Sequence, residues 1–239
     1  MIIHDCVQGT SKWRQLRIGM PTASEFGRIV TPGGKKNEPK PSDSQEPYMR
    51  ELLAELIMGR PLEGTSMPWM ERGHLLEEQA ADFYGFIKDV EPEVVGFVTN
   101  DEQTIGASPD RFIGKDGMLE IKCPKPEVHV SYFLFSDIEL KYKPQLQGQL
   151  YVTGRQWVDI CSFHPEMPPA IVRVTRDEDF IKLLDVELQK FVARLAEKRA
   201  ELDARGLLAK PEVERDHSGD FLSDADAEMI VADRFPVSA

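Results

Sequence analysis

Residues 105–124, IGASPDRFIGKDGMLEIKCP, constrain the fold of this 239-residue chain more than any other stretch. Gly114, Asp116 and Gly117 supply turn chemistry between two apolar runs, which predicts two short antiparallel strands. The first is expected to end near Asp110. The second, 118–123, alternates with period two: Leu119, Ile121 and Cys123 point into a core, Glu120 and Lys122 to the opposite face. Pairing across the turn brings Asp110 beside Glu120. Apolar residues flank these charges on both strands, so the sheet should be interior, where unpaired charge is costly. Two carboxylates with an ammonium one step along suit a hard cation with oxygen ligands, such as Mg²⁺. The ammonium can orient or activate a water there. The same three residues also fit a solvated hairpin face.

The length fits one globular domain with a tail. No apolar run approaches the roughly 18 residues of a membrane span, and the N-terminus lacks the basic and apolar regions of a secretory signal. Cys6, Cys123 and Cys161 are scattered, which argues against a disulfide framework, fits a reducing cytosol and leaves no four-cysteine set for zinc or iron–sulfur. The net charge of -12 argues against nucleic acid only if the field is uniform, and a positive groove can sit on an acidic protein. The acidity is in fact uneven. From Pro211 onward there are eight acidic residues against Arg215 and Arg234, half of the net negative charge.

In chain order, Thr22 and Glu25 have capping-box spacing, predicting a helix from about Ala23. Its N-terminus suits an anion, with Arg17 just before it and Ser24 in its first turn. Residues 31–47 read as a long mobile loop in which Lys35, Lys36 and Lys40 are candidate phosphate contacts. Helices follow over 47–59 and 71–88, the second with Glu77 on the flank of its apolar stripe. Strands at 94–99 and 104–107 feed the central hairpin. Further helices are expected over 127–138 and over 141–153, the latter starting near Pro144. In it Gln145, Gln147 and Gln149 interleave with Leu146 and Leu150; glutamines there can bond a backbone or a water, or face solvent. Strands at 157–163 and 171–175 and a long amphipathic helix over 177–205 complete the pattern. The fold class expected is α/β (α+β), a central mixed sheet flanked by helices, with one domain over 1–205 and an acidic tail over 206–239. No internal repeat, Walker loop or dinucleotide glycine loop is present.

Several blocks together resemble a known family. WRQLRIGMPTAS from Trp13, RGHLLEEQAADFY from Arg72, SPD ending at Asp110, LEIKCP from Leu119 and QLQGQLYVTG from Gln145 occur in the order found in the lambda-exonuclease or YqaJ family of phage recombination nucleases. That family lies within the PD-(D/E)xK superfamily, whose core is restriction-endonuclease-like. The resemblance spans about Trp13 to Pro165 and does not reach the tail.

The resemblance implies a Mg²⁺-dependent 5′-to-3′ exonuclease, with Mn²⁺ as an alternative ion, acting on linear double-stranded DNA bearing a 5′-phosphate. It also implies a homotrimeric ring, a single-strand annealing protein as partner, and a cytoplasmic, phage- or prophage-encoded protein. Carried over residue by residue, Asp110, Glu120, Glu77 and the Ile121 carbonyl would hold the metal. Lys122 would position the attacking water, and Gln147 would stand near that lysine. Arg17, Ser24 and Ser108 would hold the 5′-phosphate. The competing readings are a PD-(D/E)xK endonuclease of another class and a DNA-binding recombination accessory without catalysis. The acidic tail reads as a partner contact, an electrostatic guard against non-specific DNA, or a solvated segment.

Overall fold

The computed structural model describes residues 1–33, 38–62, 68–135 and 137–209, with the side chains of 68–75 left out. Lys35 and Lys36, and the acidic stretch from Lys210, lie outside the described residues. Met1–Ala209 forms one compact unit.

The elements in order are β1 Ile2–His4, α1 Ser11–Arg17, a 3-10 helix Ala23–Arg28, β2 Val30–Thr31, β3 Lys40–Pro41, α2 Gln45–Met58 and α3 Pro68–Lys88. There follow β4 Pro92–Val94, β5 Phe97–Thr99, β6 Gly106–Ala107, β7 Arg111–Ile113, β8 Gly117–Lys122, α4 Pro126–Phe135, α5 Ile138–Thr153, β9 Trp157–His164, β10 Met167–Thr175 and α6 Glu178–Ala204.

The main sheet has five strands in the order β10-β9-β8-β7-β4. Only β8 and β9 run parallel. A parallel pair needs a crossover, and α4 with α5 supplies it. A second sheet, β1-β5-β6, and the small β2–β3 hairpin complete the strands. The mixed sheet flanked by helices is therefore as expected.

Alternation along β8 sorts its side chains between two cores. Leu119 and Ile121 join Ile113, Cys161 and Phe163 against Ala80, Ala81 and Tyr84 of α3, with Cys123 packed alongside. Met118 points the other way, into the larger cluster with Phe26, Leu146, Leu150, Phe180 and Phe191. Glu120 shares the Met118 face and so is aimed at α5. The turn is three residues long, between paired Ile113 and Gly117, and Gly114 takes the positive φ of 53° that it needs.

Four local expectations are corrected. Asp110 does not end a strand of the hairpin; it lies in the link between β6 and β7, which belong to different sheets. The register Arg111↔Leu119 nonetheless puts it one step past the strand end, level with Glu120. Thr22 makes no side-chain cap and Ala23–Arg28 is a 3-10 helix, because the Thr22 hydroxyl is engaged by Arg17 and Ser24 instead. The ends of the stretch read as a mobile loop are ordered, Val30–Thr31 pairing with Lys40–Pro41 and α2 starting at Gln45. Finally, α5 begins at Ile138 and carries Pro144 within it, where the proline is buried and its ring packs beside Gly27.

Candidate active site

Glu120 is 2% exposed, and three donors hold it. Its Oε1 accepts from Lys122 Nζ at 2.5 Å and from Gln145 Nε2 at 2.6 Å. Its Oε2 accepts from Gln149 Nε2 at 2.7 Å. Period two on β8 places Glu120 and Lys122 on one face, and the helical period places Gln145 and Gln149, four residues apart, on the facing side of α5. A buried carboxylate requires such donors. Lys122 also lies 4.8 Å above the Tyr142 ring. Burial on its own would lower the Lys122 pKa, but the Glu120 and Asp110 carboxylates outweigh it and raise the value. The group is a firm ammonium.

Asp110 is fixed from the other side. Its Oδ2 accepts from the Ile121 main-chain N–H at 2.5 Å. Enclosure in the site raises its pKa well above the usual carboxylate range, and the charges of Glu120 and Glu77 add to that. Glu77 comes from α3 and is held by Arg111 Nη1 at 3.2 Å. Arg111, 6% exposed, also donates to Glu78 at 2.6 Å and to the Asp110 carbonyl at 2.7 Å. One guanidinium thus ties the helix glutamates to the strand that follows Asp110.

Among the described residues no three His, Cys, Asp or Glu side chains converge closely enough to hold a metal ion. Lys122 and the two amides occupy Glu120, and Arg111 occupies Glu77. The donor chemistry still fits a hard divalent cation: Asp110, Glu120 and Glu77 are all carboxylates.

A second cluster adjoins the first through the chain. Ser108 Oγ accepts from Trp13 Nε1 at 2.9 Å and from Arg17 Nη1 at 3.1 Å. Its own O–H is left to donate. Arg17 Nη2 reaches Thr22 Oγ1 at 3.4 Å, and that oxygen lies 3.3 Å from Ser24 Oγ. The guanidinium stacks on Trp13 at 4.2 Å. Burial lowers the Arg17 pKa, as expected of a cation whose hydrogen bonds go to hydroxyls and not to carboxylates. Arg17, Ser24 and Ser108 are therefore brought together as a small cationic pocket lined by hydroxyls. It borders a cavity of about 450 Å³ walled by Trp13, Arg17, Thr22, Tyr48, Glu55 and Leu62.

Gln147 is corrected. Its amide donates to the Thr175 carbonyl at 2.8 Å and its carbonyl accepts from Asp177 N at 2.9 Å. It staples the β10–α6 junction, away from Lys122. Two helical residues carry a side chain through about 200°, so Gln147 faces opposite to Gln145 and Gln149. That period was the signal available in the sequence for the pair that does reach Glu120. Ile121 enters the site through its main chain, while its side chain lies in the α3-side core. Nothing local marks Arg111 or Trp13, because they act through contacts 34 and 95 residues away in sequence, and Thr22 is legible only as a cap, although its hydroxyl meets Arg17.

The profile of the YqaJ-like viral recombinase domain matches residues 12–156. The chain is similar to an alkaline exonuclease, LHK-Exo, from Laribacter hongkongensis, with 28% identity and a TM-score of 0.71 over 82% of this chain and 98% of that one. The structure of LHK-Exo in complex with dAMP matches with 29% identity, the same TM-score and the same coverage. A phage-related exonuclease from Haemophilus somnus 129PT shares the fold at 16% identity and a TM-score of 0.58, over 75% of this chain and 96% of that one. No match is found among curated protein sequences.

Proposed function

Because the chain belongs to the YqaJ-like viral recombinase domain family, we propose that it is a recombination nuclease, specifically a metal-dependent 5′-to-3′ exonuclease on linear double-stranded DNA. The observation that carries this reading is the adjacency of the two clusters. Ser108 belongs to the Arg17 pocket and Asp110 to the carboxylate site, with only Pro109 between them. A terminal 5′-phosphate on Arg17 would therefore leave the next phosphodiester beside the carboxylates. The alkaline exonuclease of L. hongkongensis, whose structure is known in complex with dAMP, supports a mononucleotide product.

Arg17 can grip a terminal phosphate with paired hydrogen bonds, and the Ser24 and Ser108 hydroxyls add neutral donors. Asp110, Glu120, Glu77 and the Ile121 carbonyl are the groups that would hold Mg²⁺ or Mn²⁺. When bound, such a cation supplies charge neutralisation of the phosphate and a water of lowered pKa. Lys122, bonded to Glu120 beside these carboxylates, would position the attacking water and face the developing charge. Gln145 keeps Glu120 in place. Contacts to phosphate carry no sequence information, so little sequence preference is expected, together with strong salt dependence.

The remaining assignments are also proposals. A homotrimeric ring rests on the family resemblance; the apolar side chains left in the open, Phe133, Leu134 and Phe135 on α4 and Phe86 on α3, are of the kind a protein interface covers. A single-strand annealing protein as partner rests on the family resemblance alone, a cytoplasmic setting on that and the scattered cysteines, and the acidic tail over 206–239 on composition. No helix among the described residues is long and apolar enough to cross a membrane.

The test is digestion of linear duplex DNA with Mg²⁺, comparing 5′-phosphorylated, 5′-hydroxyl and closed circular substrates. Mononucleotides released fastest from 5′-phosphorylated ends, with the circle intact, are expected. In Arg17→Lys the preference for the 5′-phosphate should fall to near parity, because a single ammonium cannot reproduce the fork. Cutting of the circle would favour an endonuclease, and binding without cutting an accessory role.

A further inference from the structure

We propose that Gln149 is a positioning residue for the carboxylate site, one that sets the affinity of Glu120 for a divalent cation. The inference rests on the metal-dependent reading above and deepens it. Gln149 is 1% exposed. Its Nε2 donates to Glu120 Oε2 at 2.7 Å, while its Oε1 is buried with no hydrogen-bond partner among the described residues. An amide needed only to fill the core would be better replaced by an apolar side chain, since an unpartnered buried acceptor is destabilising. This one is retained facing a carboxylate.

The amide orientation follows from chemistry. Glu120, as a carboxylate, only accepts, so the nitrogen of Gln149 must face it and the oxygen must be the orphan. The three donors on Glu120 divide the work unevenly. Oε1 takes both Lys122 and Gln145, whereas Oε2 takes Gln149 alone. Oε1 is thus saturated, and Oε2 is the oxygen with a lone pair to spare for a cation. Gln149 determines where that oxygen points. The backbone around Gln149 is locked in turn: its carbonyl accepts from Thr153 Oγ1 at 2.7 Å, one helical turn on.

Residues that orient a metal ligand without touching the metal change affinity by about 10- to 100-fold when removed. The test is calorimetric titration of the full chain with Mg²⁺, and with Ca²⁺ as a non-turnover probe, on wild type and Gln149→Met. The expected result is cation binding weakened at least tenfold, the Mg²⁺ concentration for half-maximal cleavage raised in parallel, and KM for linear DNA unchanged. Gln149→Asn keeps an amide but withdraws it by one methylene, and it should show the same loss if Gln149→Met fails to fold. Unchanged cation affinity in a folded variant, with only a lower thermal midpoint, would make Gln149 a structural residue and overturn the inference. A wild-type chain that binds neither cation would instead overturn the metal-dependent reading itself, and the two failures are distinguishable in one titration series.

Discussion

At Lys122, burial opposes the positive charge while Glu120 and Asp110 sustain it, and the carboxylates prevail. Lys122→Ala removes a donor from the reacting region and leaves Glu120 with its two amides. Cleavage should fall by about 10²- to 10⁴-fold, the range for a positioned proton-handling group, with the circular dichroism spectrum unchanged; retained full activity would contradict the assigned role. Asp110 gives a test in pH. Its folded pKa is raised, so the unfolded chain releases this proton first as pH rises. The contribution of Asp110 is complete below the usual value of about 3.9 and is lost as pH climbs through its folded value. Asp177 and Glu187 have lowered values and act in the opposite direction, so the comparison must be with Asp110→Asn. In metal-free buffer the thermal midpoint of wild type should drop relative to Asp110→Asn as pH rises through that window. A constant difference across pH would show that Asp110 is not enclosed as described.

Among the elements, α5 does the most positioning. One face presents Gln145 and Gln149 to Glu120, another presents Gln147 to the start of α6, and Gly148 lets the helix approach the 3-10 helix that carries Ser24. A Cβ at Gly148 would stand 2.4 Å from the Phe26 ring. Gly148→Ala should therefore cost about 1–3 kcal/mol, the usual penalty for overpacking, read as a lower urea midpoint at unchanged m-value. Because the same contact seats Ser24 near Thr22, preference for 5′-phosphorylated ends should weaken too. An unchanged midpoint would mean that Phe26 can move aside. The helices and strands themselves were legible because their apolar spacing is regular, as in α6, where Phe180, Leu184, Leu188, Phe191 and Leu195 are all buried. The start of α5 was not, since Pro144 reads as a boundary in sequence and only tertiary burial tolerates it inside a helix.

For the whole molecule, the chain through Ala209 is one compact unit, closed by a hydrogen bond from Ala209 N to the Leu56 carbonyl at 3.0 Å. A chain ending at Ala209 should unfold with the same thermal midpoint as the full-length protein, measured by calorimetry. A loss of several degrees would show that residues beyond it contribute to stability.

The sequence alone determined the hairpin with Glu120 and Lys122 on one face, the pairing of Asp110 with that face, and the identity of Arg17, Ser24 and Ser108 as pocket residues. Period-two alternation, turn chemistry and a family resemblance carry that information locally. The tertiary structure decided what holds those groups. It chose Gln145 and Gln149 over Gln147, because only the rotation of α5 against β8 fixes which glutamines meet Glu120. It tied Glu77 to Arg111 and stacked Arg17 on Trp13. It also diverted Thr22 from its cap to the Arg17 pocket. Each of these joins residues whose meeting depends on how elements pack, and buried charge must be satisfied by whatever donors the packing brings within reach.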